Sequence, residues 1–77
     1  MTITPAQLKA ARRLLSRSQA DVSGATGLET LTIVNFERGE RSLDRDVLRD
    51  IQITLEAAGV EFVEIAGATE VKLRNAK

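Results

Sequence analysis

Three glycines that stop helices, followed by a change of apolar period, constrain this chain more than any other feature. Gly27, Gly39 and Gly59 each sit where an ordered segment must end, the place where a left-handed residue is commonly needed. Before Gly59 the apolar residues recur at helical spacing; after it they alternate with charged ones. The pattern predicts four short helices and a C-terminal hairpin.

The helical signals are specific. Thr4 can cap a first helix, Pro5 suits its first position, and Gln7 can reach back to complete a capping box. Leu8, Ala11, Leu14 and Leu15 form one apolar face, interrupted at Ser16-Arg17. Ser18 caps a second helix through about Thr26, with Asp21 in the first turn, where the helix dipole favours negative charge. A third helix runs from about Thr30 to Arg38 and buries Ile33 and Phe36. Glu40 to Leu43 reads as a polar loop. The fourth helix, from about Asp44 to Ala58, carries an apolar stripe of Leu48, Ile51, Leu55 and Ala58. Val60, Phe62 and, by extension, Ile65 then interleave with Glu61 and Glu64, and Val71 and Leu73 interleave with Glu70, Lys72 and Arg74. Ala66-Gly67-Ala68 falls between as the turn. A lone two-stranded hairpin is marginal in water, so it needs a helix beneath it or another sheet edge beside it.

Composition narrows the chemistry. Seventy-seven residues make one domain, and a chain this short is marginally stable alone. With no Cys and no His, disulfides and His- or Cys-based metal sites are excluded, which leaves oligomerisation as the route to extra stability. A homodimer is expected. Cys- and His-dependent catalysis is excluded with them, and the carboxylates are spread along helix faces, so the chain reads as a non-enzyme without metal or cofactor. No apolar run approaches the ~18 residues of a membrane span, and Met1 to Pro5 lacks an apolar leader core. A cytoplasmic protein without a membrane partner is expected. Net charge is zero, which is unfavourable for a nucleic-acid binder, although residues 1–45 hold seven basic and five acidic side chains.

Two short helices joined by a tight Gly-containing turn form the unit that offers its second helix to the DNA major groove. Here the agreement extends to individual residues. Ser18-Gln19-Ala20-Asp21-Val22, Gly27-Leu28, Thr32-Ile33 and Phe36-Glu37-Arg38-Gly39 stand in the order and register of the Cro and phage-repressor (XRE-like) family, which the chain resembles over about residues 6–58. The resemblance implies that Gln19 binds a phosphate and braces the third helix. Thr30, Leu31 and Asn35 match base-reading positions, with Thr32 close to the DNA backbone. Arg38 and Arg41 match a phosphate-lining loop, Arg45 being only a neighbour. Arg12 and Glu37 match a structural ion pair between the first and third helices.

Three residues depart from the family pattern. Glu29 replaces the usual Ser or Thr cap and brings negative charge towards docking phosphates. Leu31 replaces a polar base reader, and Val34 adds an apolar group on the outer side of the same helix. Leu31 has three readings: contact with a thymine methyl, half-buried structure, or, with Val34, a patch for a protein partner. Asn35 is either an adenine reader or a solvated side chain. Ile53 lies off the fourth helix's stripe and is either an isolated exposed residue or part of a dimer contact with the C-terminal strands.

The expected fold is all-α, a repressor-like four-helix helix-turn-helix domain over residues 1–59 with a small β-hairpin over 60–77 that belongs to the same domain or to its dimer interface. The expected function is transcriptional regulation by a homodimer on palindromic double-stranded DNA. The alternative is a protein-binding module, an antiactivator or antitoxin, that sequesters another regulator.

Overall fold

Reciprocal capping boxes set the starts of the first two helices. The Thr4 hydroxyl accepts from the Gln7 N–H at 3.2 Å while the Gln7 carbonyl oxygen Oε1 accepts from the Thr4 N–H at 3.0 Å. Ser18 and Asp21 repeat the arrangement, with both bonds at 2.9 Å. The computed structural model describes residues 2–74; Met1 and residues 75–77, the end of the segment expected to form the hairpin, lie outside it. The elements follow in the order α1 (Pro5–Leu15), α2 (Gln19–Thr26), α3 (Thr30–Glu37), α4 (Arg45–Ala58), β1 (Val60–Ile65) and β2 (Ala68–Leu73). The four helices and the antiparallel hairpin agree with the expected elements. The bounds of α3 and α4 move by one residue, Arg38 serving as a C-cap and Asp44 as an N-cap.

Helix ends follow the backbone logic of the glycines, with one exception. Gly27 and Gly39 adopt positive φ, and after α3 the Gly39 N–H meets the Phe36 carbonyl while the Glu40 N–H meets the Asn35 carbonyl. These are the paired bonds of a Schellman ending. α1 closes in the same way through Ser16 at φ 55°, with bonds from Ser16 N–H to Arg13 and from Arg17 N–H to Arg12. A serine thus occupies a position that glycine fills more easily.

The core joins all six elements. Ile3, Leu8, Ala11, Val22, Ile33, Phe36, Leu48, Ile51, Leu55 and Val60 are buried, and Leu15, Leu28, Leu43, Val47, Phe62 and Val71 pack against them. Fully burying an aliphatic side chain such as Ile33 or Ile51 contributes about 1.5–3 kcal/mol. α2 and α3 have eight residues each, well below the ~12–15 at which a helix begins to hold alone, so this core keeps them formed.

Ile3 is the unforeseen member. It precedes the Thr4 cap and Leu8 stands at the fourth helical position, the spacing of a hydrophobic staple. Two expected members are absent. Leu14 is 39% exposed because the buried line of α1 runs through Leu8, Ala11 and Leu15. Ala58 is exposed because the stripe of α4 ends at Leu55, one turn before the chain leaves for β1.

The hairpin pairs Val60 with Leu73, Phe62 with Val71 and Ile65 with Ala68. The turn is therefore Ala66-Gly67 alone, both at positive φ, as a type I′ turn requires, and Ala68 belongs to β2. Side chains alternate across a strand, so Val60 and Phe62 share the face towards the helices and Ile65 points to the opposite face. Ile65 is half exposed there, contrary to its expected grouping with them. The hairpin lies over α1 and α4, and Val60 is fully buried among the helices. The Arg74 N–H extends the ladder to the Gly59 carbonyl, and its guanidinium donates to the Glu56 carbonyl near the end of α4.

Among the described residues, no helix is long and apolar enough to cross a membrane.

Candidate functional site

The position of α3 is set from both of its ends. At its start, the three residues Gly27, Leu28 and Glu29 connect it to α2. The Leu28 backbone is held twice, its N–H donating to the Thr26 hydroxyl at 3.3 Å and its carbonyl accepting from the Ser23 hydroxyl. Thr26 also donates to the Val22 carbonyl at 2.8 Å. Both hydroxyls lie on α2, so the turn is cross-braced to the helix before it. Sequence reasoning assigned neither residue a role; a Ser and a Thr three apart before a helix-ending Gly are the signal that was available.

At the other end of α3, Glu37 is a junction. Its side chain is 3% exposed, and its carboxylate accepts from Arg12 Nε at 2.7 Å and from Arg12 Nη2 at 2.8 Å. Gln19 Nε2 donates to Glu37 Oε1 at 3.1 Å. One carboxylate thereby ties α1, α2 and α3 together. Arg12 turns its remaining face to the Arg17 carbonyl at 3.0 Å, in the α1–α2 connection. The bidentate geometry is the strong form of a charge-assisted pair, and Glu37 holds the guanidinium's pKa above its ordinary range. The expected Arg12–Glu37 pair is therefore present. The Gln19 contact to it has no signature in residue spacing, because it links positions 18 apart in sequence.

Between these two anchors, α3 turns Ile33 and Phe36 into the core and leaves its other residues at graded depth. Thr30 and Leu31 are exposed, Leu31 at 65%, while Thr32, Val34 and Asn35 are half-buried. Exposure at this level removes the half-buried reading of Leu31. Val34 is less available than expected for a free apolar patch, so Leu31 stands as the exposed aliphatic of α3. Glu29 is the N-cap by backbone geometry, yet its side chain makes no capping bond, and it is exposed. The first turn of α3 thus retains unpaired N–H groups beside a carboxylate.

Arg38 and Arg41 are exposed in the segment leaving α3, and Arg45 is exposed at the start of α4. None of the three takes part in an ion pair among the described residues. Gln19 is half-buried at the first turn of α2, on the same junction that fixes α3. The structure brings Arg12, Gln19 and Glu37 together; Thr30, Leu31, Thr32 and Asn35 share α3, with the arginines following in chain order.

A groove of about 430 Å³ runs along α4, between Thr2, Arg45, Asp46, Arg49, Gln52, Ile53 and Glu56. Its charged lining of both signs and its place on another helix separate it from the expected site. Ile53, 52% exposed, lies in this groove. No family model matches the chain, and comparison with curated proteins gives no match.

Proposed function

We propose that this protein binds double-stranded DNA through α3 as a homodimer and regulates transcription in the cytoplasm, α2, the turn and α3 acting as a helix-turn-helix. The observation that carries the reading is the fixing of α3 at both ends by Glu37 and by the Ser23 and Thr26 hydroxyls, while Thr30 and Leu31 stay exposed. A helix that reads bases needs such positioning more than it needs polarity. Asn35 can contact adenine in two bonds and Leu31 can meet a thymine methyl, each good bidentate base contact giving about 1–3 kcal/mol of discrimination. Thr30 would reach a base edge, and Thr32 would lie close to the DNA backbone. Gln19, Arg38 and Arg41 would take phosphates, which supply affinity and register without sequence information. With Arg38 and Arg41 from two copies, the logarithmic salt slope would be roughly −4.

Leu31 also supports a second reading, in which the same face docks a protein. An aliphatic side chain 65% exposed on a positioned helix, beside Glu29 and in a chain of zero net charge, suits an apolar groove on another regulator. The two readings separate in one titration. A pool of random duplex is added to 15N-labelled protein at low salt, and amide shifts are mapped. The DNA reading requires perturbations centred on Gln19, Thr30, Leu31, Thr32 and Asn35 that fade as salt is raised. An unperturbed α3 at low salt refutes it and leaves the protein-docking reading.

A further inference from the structure

We propose that β2 is the edge along which two copies join, strand against strand across a two-fold axis, with Val71 opposite Val71 of the second copy. The inference rests on the two-copy part of the functional reading and adds the strand, the register and the residues.

The phase of the hairpin decides which groups are free. Its pairs include Glu61 with Lys72, Val63 with Glu70 and Ile65 with Ala68, and the Arg74 N–H bonds the Gly59 carbonyl. Antiparallel pairs alternate between bonded and non-bonded, so Ala68, Glu70, Lys72 and Arg74 turn their backbone groups towards β1. Thr69, Val71 and Leu73 turn theirs outwards. Among the described residues the sheet has two strands, and no backbone bond from another segment reaches these three. An open edge of this kind is a template for another strand.

Charge selects both the strand and the register. Centring a two-fold axis on the Val71 pair sets Glu70 opposite Lys72 of the second copy, and Lys72 opposite its Glu70. Thr69 then faces Leu73, and about six new main-chain bonds close the edge. A two-fold centred on Glu70 sets the two Glu70 carboxylates against each other. Centring it on Lys72 opposes two ammonium groups, and centring it on Leu73 sets Lys72 against Arg74. On β1 the outward residues are Val60, Phe62 and Glu64, and no two-fold register about them pairs opposite charges. The Val71 register has a second merit: it lines up Phe62, Val71, Val71 and Phe62 as one apolar row over the helices of both copies. It also brings Leu73, 51% exposed, against the second copy.

The test is a charge exchange. Glu70→Lys sets an ammonium group against Lys72 of the second copy and should weaken self-association roughly tenfold to a hundredfold, the repulsion occurring twice. Within its own hairpin Glu70 faces Val63, so the fold is spared. The double variant Glu70→Lys/Lys72→Glu should regain most of the affinity, and circular dichroism checks the fold of each variant. Sedimentation over a concentration series reads the association. In a mixed sample of labelled and unlabelled protein, an intermolecular Hα–Hα contact between residues 70 and 72 is expected. A wild type that remains monomeric at high micromolar concentration overturns the proposal. So does a dimer indifferent to the exchange, or one whose intermolecular contacts lie on the α4 groove around Ile53. DNA binding is read separately: a monomer that still binds duplex through α3 refutes this interface alone, whereas a charge-sensitive dimer with no DNA binding keeps it and refutes the DNA reading.

Discussion

Replacing Glu37 with methionine removes the acceptor of three side-chain hydrogen bonds and leaves the Arg12 guanidinium with Nε and Nη2 unpaired in a site where its side chain is 13% exposed. Losing one partner of a fully buried pair costs about 3–5 kcal/mol. Arg12 keeps a small opening to water and its bond to the Arg17 carbonyl, so the expected loss is about 2–4 kcal/mol. A domain of this size has roughly 4–12 kcal/mol in total, and each kcal/mol moves the melting point by about 4–8 °C. Glu37→Met should therefore lower Tm by roughly 10–25 °C at fixed protein concentration. Arg12→Met should cost at least as much, because it strands the more deeply buried charge, the Glu37 carboxylate with its side chain 3% exposed, with Gln19 as its remaining partner. The double variant Arg12→Met/Glu37→Met replaces the pair by apolar side chains and should be more stable than Glu37→Met alone. Urea unfolding of the four proteins, followed by circular dichroism, gives the coupling directly. Single losses below about 1 kcal/mol, or a double variant equal to the sum of the singles, would refute the claim that Glu37 holds α1, α2 and α3 together.

The remaining expectations concern the caps, the turns and the staple. Asp21 is held below its ordinary 3.8, first by the Ser18 N–H and then by the Ser18 side chain. A depressed folded pKa means the cap is fully formed above the unfolded value and lost as pH falls through the folded one. The Ser18 amide shift should follow that titration with a midpoint under 3.8; a midpoint at or above it contradicts the cap. Ser16→Gly relieves a left-handed serine at a cost of glycine's extra chain entropy and should stabilise by about 0.5–1 kcal/mol. Ala66→Asn should act in the same direction at the first turn position, and thermal melts check both. Ile3→Ala should destabilise by at least about 2 kcal/mol, as a core truncation does and a frayed terminus does not, and urea melts distinguish the two.

What was legible in the sequence was whatever one segment decides for itself. Thr4-Pro5-Ala6-Gln7 and Ser18 announce helix starts because the cap and its partners lie within one turn. Gly27, Gly39 and Gly59 announce stops, and Ile33, Phe36, Leu48, Ile51 and Leu55 keep a regular period. Where neighbours decide, the reading failed. Leu14 and Leu15 are adjacent on a helix, and only packing shows which faces the core. Ala58 continues a stripe whose partner elements have already turned away. Ile65 extends the apolar run of Val60 and Phe62 past Glu64, although strict alternation from Val60 places it on the other face. Ile3 lies outside the period of the first helix, although Leu8 five residues on completes a recognisable staple. The Gln19–Glu37 bond and the bracing of Leu28 by Ser23 and Thr26 depend on how α2, the turn and α3 meet in space. Resemblance supplied the Arg12–Glu37 pair and the bracing of the third helix by Gln19; periodicity alone supplied neither.

Genomic SELEX with the full chain, at low and physiological salt, tests the central claim most directly, with Asn35→Ala and Arg38→Ala/Arg41→Ala run alongside. The account predicts a palindromic motif whose half-sites are centred about one helical turn, ~34 Å, apart. Asn35→Ala should relax the motif at one position of each half-site. The double arginine variant should weaken binding to all sequences and flatten the salt slope. Failure to enrich any motif at low salt, with the folded wild type, would contradict it.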